Sequence, residues 1–472
     1  MPDHHLRSAL FGGVFGRGGA DTSDTAWLQA MLDTEAALAR ALERAGLAPA
    51  GSGAAVTAAA NAADFDLSEI GELAALTGNP VPGLARLLAR KVGGQAASAV
   101  HRGATSQDIM DTAVILLARQ AIDATSGDVA AAADGAARLA AEHRGSVMIG
   151  RTLLQQAVPT TFGVVAAGWL SGLDAALSGL DAVRTTRLAV QFGGAAGTLA
   201  SLGERGPRVV ALLAGELNLP APPLPWHTER LRIIDIATAM ARVTAALSKI
   251  ARDVTLLAQT EVGEVSEGPG GPADGVPGRD GVPGGDAPRR GGSSAMPNKN
   301  NPVAAVAVLG CARQVPGLLA TLVASAEQEH QRAAGAWHAE WEPLGAILRL
   351  AGSAASWGSD LMRGLQVDAA RMEKNLAAAG GLPLAERVTA VLAEVLGGPR
   401  AHDLVAAAAA KSVASGVPLA DVLLADPALE NISPERIHVS LDPSTYLGAS
   451  QTFVTAALAV HAETAHSRRT DS

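Results

Sequence analysis

From Arg230 to Val265 the chain reads RLRIIDIATAMARVTAALSKIARDVTLLAQTEVGEV, with no proline and a single glycine near its end. As one helix at 1.5 Å per residue this stretch is roughly 50 Å long. It is apolar over much of its circumference, and a helix that long and that apolar needs neighbours on several sides. Composition agrees: 48% of residues are hydrophobic but only 3% aromatic, so the apolar content is mainly Ala, Leu and Val, which suits closely packed helices. Similar patterning predicts helices near 22–46, 82–93, 106–122, 126–143, 162–187 and 302–332. The first is capped by Ser23 or Asp24 and stopped by Gly46, and the last is kinked at Pro316-Gly317. β-Branched runs between turn signals are scarce, so no sheet is expected.

The reading is therefore all-α, with three consecutive regions: an N-terminal helical domain over 1–105, a central bundle of long helices over 106–360, and a C-terminal helical domain over 361–472. Residues 267–292, EGPGGPADGVPGRDGVPGGDAPRRGG, interrupt the bundle. Pro and Gly dominate there, so neither helix nor strand persists, and the irregular glycine period rules out collagen.

Several function classes are disfavoured. A net charge of −9 without a dense Lys/Arg run argues against a nucleic-acid or anionic-membrane surface. One cysteine, Cys311, allows no internal disulfide or thiolate zinc site. In VLGCARQV it reads as helix packing. The opening MPDHHLRSALFGG lacks a secretory pattern, and Ala-rich stretches are broken by Lys, Ser and Gly, so a cytoplasmic protein without membrane spans is expected. No H-E-x-x-H accompanies His330, His338 and Glu342, no G-x-S-x-G occurs, and Gly193–Thr198 lacks a Walker lysine. Trp337 and Trp341, four apart, read as core anchors.

Chemistry concentrates in GGSSAMPNKNNP, the loop 291–302. Backbone N–H groups, a lysine and a helix N-terminus beginning near Pro302 can converge there on one carboxylate. This G-S-S-x-M-P-x-K-x-N-P pattern resembles the signature loop of the fumarase/aspartase superfamily. His101-Arg-Gly-Ala-Thr-Ser-Gln-Asp and Gly150-Arg-Thr-Leu-Leu-Gln-Gln-Ala resemble its other motifs, in the right order. Within the superfamily the chain is most similar to the bacterial 3-carboxy-cis,cis-muconate cycloisomerases, through LFGGVFG, GRTLLQQAVPTTFG, PWHTER, EHQRAAGAWHAEWEPL and LDPSTYLGAS. The resemblance covers roughly residues 8–460, apart from the Gly/Pro insertion.

The resemblance implies lactonisation of 3-carboxy-cis,cis-muconate in protocatechuate breakdown, without metal or organic cofactor, in a homotetramer whose sites each draw on three subunits. It assigns Ser293 as catalytic base, with His101 and Lys299 beside it in catalysis. Thr105, Ser106, Thr152, Gln155 and Asn301, with Arg230 and Arg332, would bind a di- or tricarboxylate. Thr152 and Gln155, three apart, would share a face if helical. Leu153 stands where many superfamily lyases carry histidine, which fits a reaction whose nucleophile is the substrate's own carboxylate. Asn298 and Asn300 stand where the cycloisomerases usually have histidine and arginine. Two alternatives remain: a β-eliminating dicarboxylate lyase, of nitrosuccinate or adenylosuccinate type, and a non-catalytic homologue.

Overall fold

The structure is a computed structural model that describes residues 10–268, 291–292, 296 and 299–470. Helices make up most of these residues, and the all-α reading holds. The chain divides into two compact units, one of residues 1–130, 175–248 and 307–358, the other of 131–174, 249–306 and 359–472. These boundaries fall inside helices.

In the first unit the Asp24–Arg44 helix starts where its sequence says it should. Ser23 accepts the Ala26 N–H as N-cap, and Gly46 follows the helix at positive φ. Leu28, Met31, Leu32, Leu38 and Leu42 form its buried stripe, and Arg40 and Arg44 both reach Glu216. Two predicted helices fuse into one, Ser106–Glu142, because the gap between them, Asp123-Ala124-Thr125, holds no glycine or proline to end a helix with good formers on either side. The Leu231–Leu257 helix is shorter than expected by several residues at its end. The 302–332 prediction is corrected as well. Val303–Ala312 and Val315–Ala324 are separate helices, with Pro316 in the first turn of the second. Residues 325–335 are irregular before Ala336–Gly364 begins, with His330 and Gly335 at positive φ.

The second unit holds the main departure from the sequence reading, an antiparallel hairpin. Strand β1, Val147–Thr152, pairs with β2, Gln155–Thr161, through a two-residue turn. Both turn residues, Leu153 and Leu154, have positive φ, as a type I′ turn requires. The pairing is irregular between Ile149 and Arg151. A Cβ on the intervening Gly150 would lie 2.6 Å from the Val158 carbonyl oxygen, so a side chain is excluded. A short pair, Val265–Glu267 with Leu365–Val367, is the other sheet. Near the C-terminus, Val388, Leu392, Val405, Leu419, Leu423, Leu429 and Ile437 close a small core.

Two helices, Phe162–Thr186 and Val303–Ala324 taken across its break, are long and apolar enough, by length and composition, to cross a bilayer. In the first, Trp169, Leu170, Leu173, Leu177 and Leu180 are core residues, which accounts for its apolar character.

Candidate functional site

The first motif belongs to the first unit, and its polar residues are held by buried carboxylates. Thr105 precedes the Ser106–Glu142 helix and donates its backbone N–H to Asp108 at 2.9 Å, the local arrangement of a helix start closed from its third residue. Asp108 also accepts the N–H groups of Gly193 and Gly194, each at 2.9 Å, and faces His227 Nε2 at 2.7 Å. Close approach explains the first glycine: a Cβ on Gly193 would meet Pro225 and His227 at 2.7 Å. One turn upstream, His101 takes a positive φ of 56°. Its backbone N–H donates to Glu35 at 2.8 Å, and its Nδ1 lies 2.7 Å from the other oxygen of the same carboxylate. Burial works against protonating His101; the hydrogen bond and charge of Glu35, aided by Asp108, outweigh it and raise the imidazole above its ordinary range.

The two arginines assigned to substrate lie in the same unit and are engaged by protein. Arg230, expected to meet a substrate carboxylate, is instead surrounded by protein carboxylates. It is only 3% exposed, and its guanidinium is shared between Asp111, at 2.7 and 3.0 Å, and Glu340, at 2.6 to 3.1 Å. Trp337 and Gln107 donate to Asp111 as well, and Gln328 to Glu340. Burial lifts the Glu340 carboxyl above its usual range even with Arg230 beside it. Arg332 donates to the carbonyls of Gly194 and Ala195, at 2.7 and 2.8 Å, and to Gln107 at 3.1 Å. It therefore braces the Gly193–Gly194 turn. Trp337 packs edge-on against Trp341 at 4.9 Å.

The second and third motifs belong to the second unit. Thr152 and Gln155 are cross-strand partners at the hairpin tip, so the shared helix face is replaced by a shared turn. Arg151 anchors the hairpin through two bonds, 2.7 and 2.8 Å, to the fully buried Glu264, which Asn375 also contacts. Asn301 closes the neck of the signature loop: its backbone N–H and its side-chain amide both donate to the Gly291 carbonyl. Gly291, at φ 85°, has no room for a Cβ, which would lie 2.5 Å from the Asn301 carbonyl. Lys299 is exposed. Ser293 and Asn298 lie outside the described residues. The proposed use of the helix N-terminus is corrected: the Ala304 and Ala305 N–H groups are accepted by the Glu267 carboxylate at 3.0 and 2.9 Å.

Comparison with known proteins decides the family. Residues 19–269 match the family model described as "Lyase", and residues 381–457 the model "Adenylosuccinate lyase C-terminus". The chain is 45% identical to the 3-carboxy-cis,cis-muconate cycloisomerase of Bradyrhizobium diazoefficiens, over 92% of this chain and 94% of that one. The chain belongs to the fumarase/aspartase superfamily of lyases. It is also 43% identical to the nitrosuccinate lyase of Streptomyces davaonensis, over 91% of this chain and 90% of that protein. Among solved structures, the 3-carboxy-cis,cis-muconate lactonizing enzyme of Pseudomonas putida matches with a TM-score of 0.87 at 39% identity, covering 97% of this chain and 99% of that one.

As a superfamily member the chain distributes its motifs unevenly: His101, Thr105, Ser106, Arg230 and Arg332 fall in one unit, and Thr152, Gln155, Lys299 and Asn301 in the other. Sequence reasoning missed the residues that hold the first group. Thr105-Ser106-Gln107-Asp108 carried a capping signal that marks Asp108. Glu35 carried another: it interrupts the buried stripe of its helix, where an acid needs a partner.

Proposed function

We propose that this protein is a cycloisomerase that converts 3-carboxy-cis,cis-muconate to γ-carboxymuconolactone in protocatechuate breakdown. The observation that carries the reading is full-length likeness, at 45% identity, to a protein of that name, with the lactonizing-enzyme structure matched over nearly the whole chain. One substrate carboxylate oxygen forms a C–O bond to the alkene carbon β to another carboxylate. The alkene electron pair moves toward that carboxylate, and the α-carbon takes up a proton. Charge gathering on the carboxylate in the transition state calls for preorganised donors. The chemistry asks for no metal or organic cofactor. Thr105, Ser106, Thr152, Gln155 and Lys299 fit the donor role, since none of their side chains hydrogen-bonds to protein among the described residues. Ser293 handles the proton at the reacting carbon, in a loop whose neck Asn301 closes.

The active form is a homotetramer in the cytoplasm, each site drawing on three subunits. Supporting this, the hairpin that carries Thr152 and Gln155 ends in Leu153, 96% exposed, and Leu154, 73% exposed, an apolar tip that a neighbouring subunit would cover. A second reading, β-elimination from nitrosuccinate, is favoured by the 43% identity to a nitrosuccinate lyase. The test is loss of conjugated-diene absorbance when purified protein meets 3-carboxy-cis,cis-muconate, with Ser293→Ala as control. Loss that the variant abolishes supports the cycloisomerase; no loss at high enzyme concentration rejects it.

A further inference from the structure

Arg230 is committed to Asp111 and Glu340, and Arg332 to the carbonyls of Gly194 and Ala195, so both arginines assigned to the substrate carboxylates are engaged by protein. Asn300 adds no cation, because its amide is neutral; its side chain donates to the Glu267 carbonyl. Lys299 is one remaining cation. The geometry around His101 points to another.

Glu35 is fully buried and grips His101 twice, through the backbone N–H and through Nδ1. The two contacts fix the ring and its left-handed backbone together, and leave Nε2 as the ring nitrogen without a protein partner among the described residues. The His101 side chain is 24% exposed, enough for a ligand to reach it. The charges that bear on the ring are Glu35 from the Asp24–Arg44 helix and Asp108 from the Ser106–Glu142 helix, the latter itself paired with His227. A buried Glu35 anion beside a neutral imidazole would repel a polyanionic substrate. Beside an imidazolium the pair is neutral, and it presents an N–H donor outward.

We propose that Glu35 is a positioning residue that holds His101 as an imidazolium, whose Nε2–H binds a carboxylate of the substrate. The assignment rests on the carboxylate-substrate reading given above. It extends that reading by making substrate binding proton-linked: affinity falls once His101 loses its second proton.

The test has two arms. Deuterium exchange at the imidazole C2 position, followed by mass spectrometry across a pH series, titrates His101 in the intact protein without any substrate. The full chain is compared with Glu35→Gln, an isostere that keeps an acceptor for the backbone N–H, and with Glu35→Asp. The second arm is the pH profile of kcat and KM on 3-carboxy-cis,cis-muconate. In Glu35→Gln, the His101 titration shifts to lower pH, and the alkaline limb of kcat/KM moves with it, KM changing more than kcat. Above that limb, kcat/KM falls about tenfold for each unit of displacement, and Glu35→Asp recovers part of the shift. Should Glu35→Gln fail to fold, His101→Asn retains a donor to Glu35 and is expected to remove the limb altogether. A His101 titration unmoved by Glu35→Gln overturns the assignment, as does a moved titration with an unmoved limb. Absence of turnover in the full chain rejects the cycloisomerase reading, and the exchange arm still decides whether Glu35 controls the charge of His101.

Discussion

Replacing Arg230 by methionine removes the one cation between two buried carboxylates. Asp111 and Glu340 are each almost completely inaccessible, as is Arg230. Deleting one partner of a buried ion pair costs about 3–5 kcal/mol, because the other charge is stranded. Here two charges are stranded, and the donors left to them are neutral: Trp337 and Gln107 on Asp111, and Gln328 on Glu340. The upper part of that range, about 4–5 kcal/mol, is expected at pH 8. The penalty should also depend on pH. Without Arg230, the Glu340 carboxyl, already raised by burial, rises further, so the folded variant binds a proton more tightly than the unfolded chain. A raised carboxyl makes folding more favourable as pH falls, by about 1.4 kcal/mol per unit between its folded and unfolded pKa values. Urea unfolding monitored by tryptophan fluorescence at fixed protein concentration, at pH 5.5, 7 and 8, measures both effects. The triple variant Asp111→Asn/Arg230→Met/Glu340→Gln should be more stable than the single variant at pH 8. A loss under 1 kcal/mol, an absence of pH dependence, or a triple variant no better than the single one would refute the stranded-charge argument.

Other expectations follow from single contacts. Glu267→Ala strips the acceptor from the first turn of the Val303–Ala312 helix and should lower stability by about 1–2 kcal/mol; a change within about 0.5 kcal/mol, the range of an ordinary surface substitution, would contradict it. Because His101 is raised in the folded state, its contribution to stability is full below its unfolded pKa of about 6.5 and is lost as pH rises through the folded value. The stability gap between the natural chain and His101→Asn should therefore narrow toward alkaline pH. The Cys311 thiol, pushed up to about 11 by burial, should resist a disulfide reagent at pH 8 in the native protein and react once urea unfolds it.

Much of the fold could be read from periodicity and capping. The Asp24–Arg44 helix begins at its Ser23 cap, and the Phe162–Thr186 helix spans almost its expected range. The hairpin was hidden because its turn is Leu153-Leu154, where the usual signal for positive φ is Asn-Gly or Asp-Gly. The pairing of Val147–Thr152 with Gln155–Thr161 and the positive φ of both leucines identify it. At the site, the signature loop and the first motif were plain as residue types. The fate of Arg230 was not, since it depends on Asp111 and Glu340, more than a hundred residues away in either direction. The helix N-terminus after Pro302 likewise looked free, until Glu267 on the far side of the insertion was found to occupy it. Local pattern reports which groups are present; long-range pairing decides which of them remain available.

The central claim is the reaction. Its most direct test is to measure kcat/KM for 3-carboxy-cis,cis-muconate, by diene absorbance, and for nitrosuccinate, by nitrite release, on the same preparation. A preference for the muconate of at least about a hundredfold is expected, a transition-state difference of about 2.7 kcal/mol. Equal turnover, or a preference for nitrosuccinate, would contradict it.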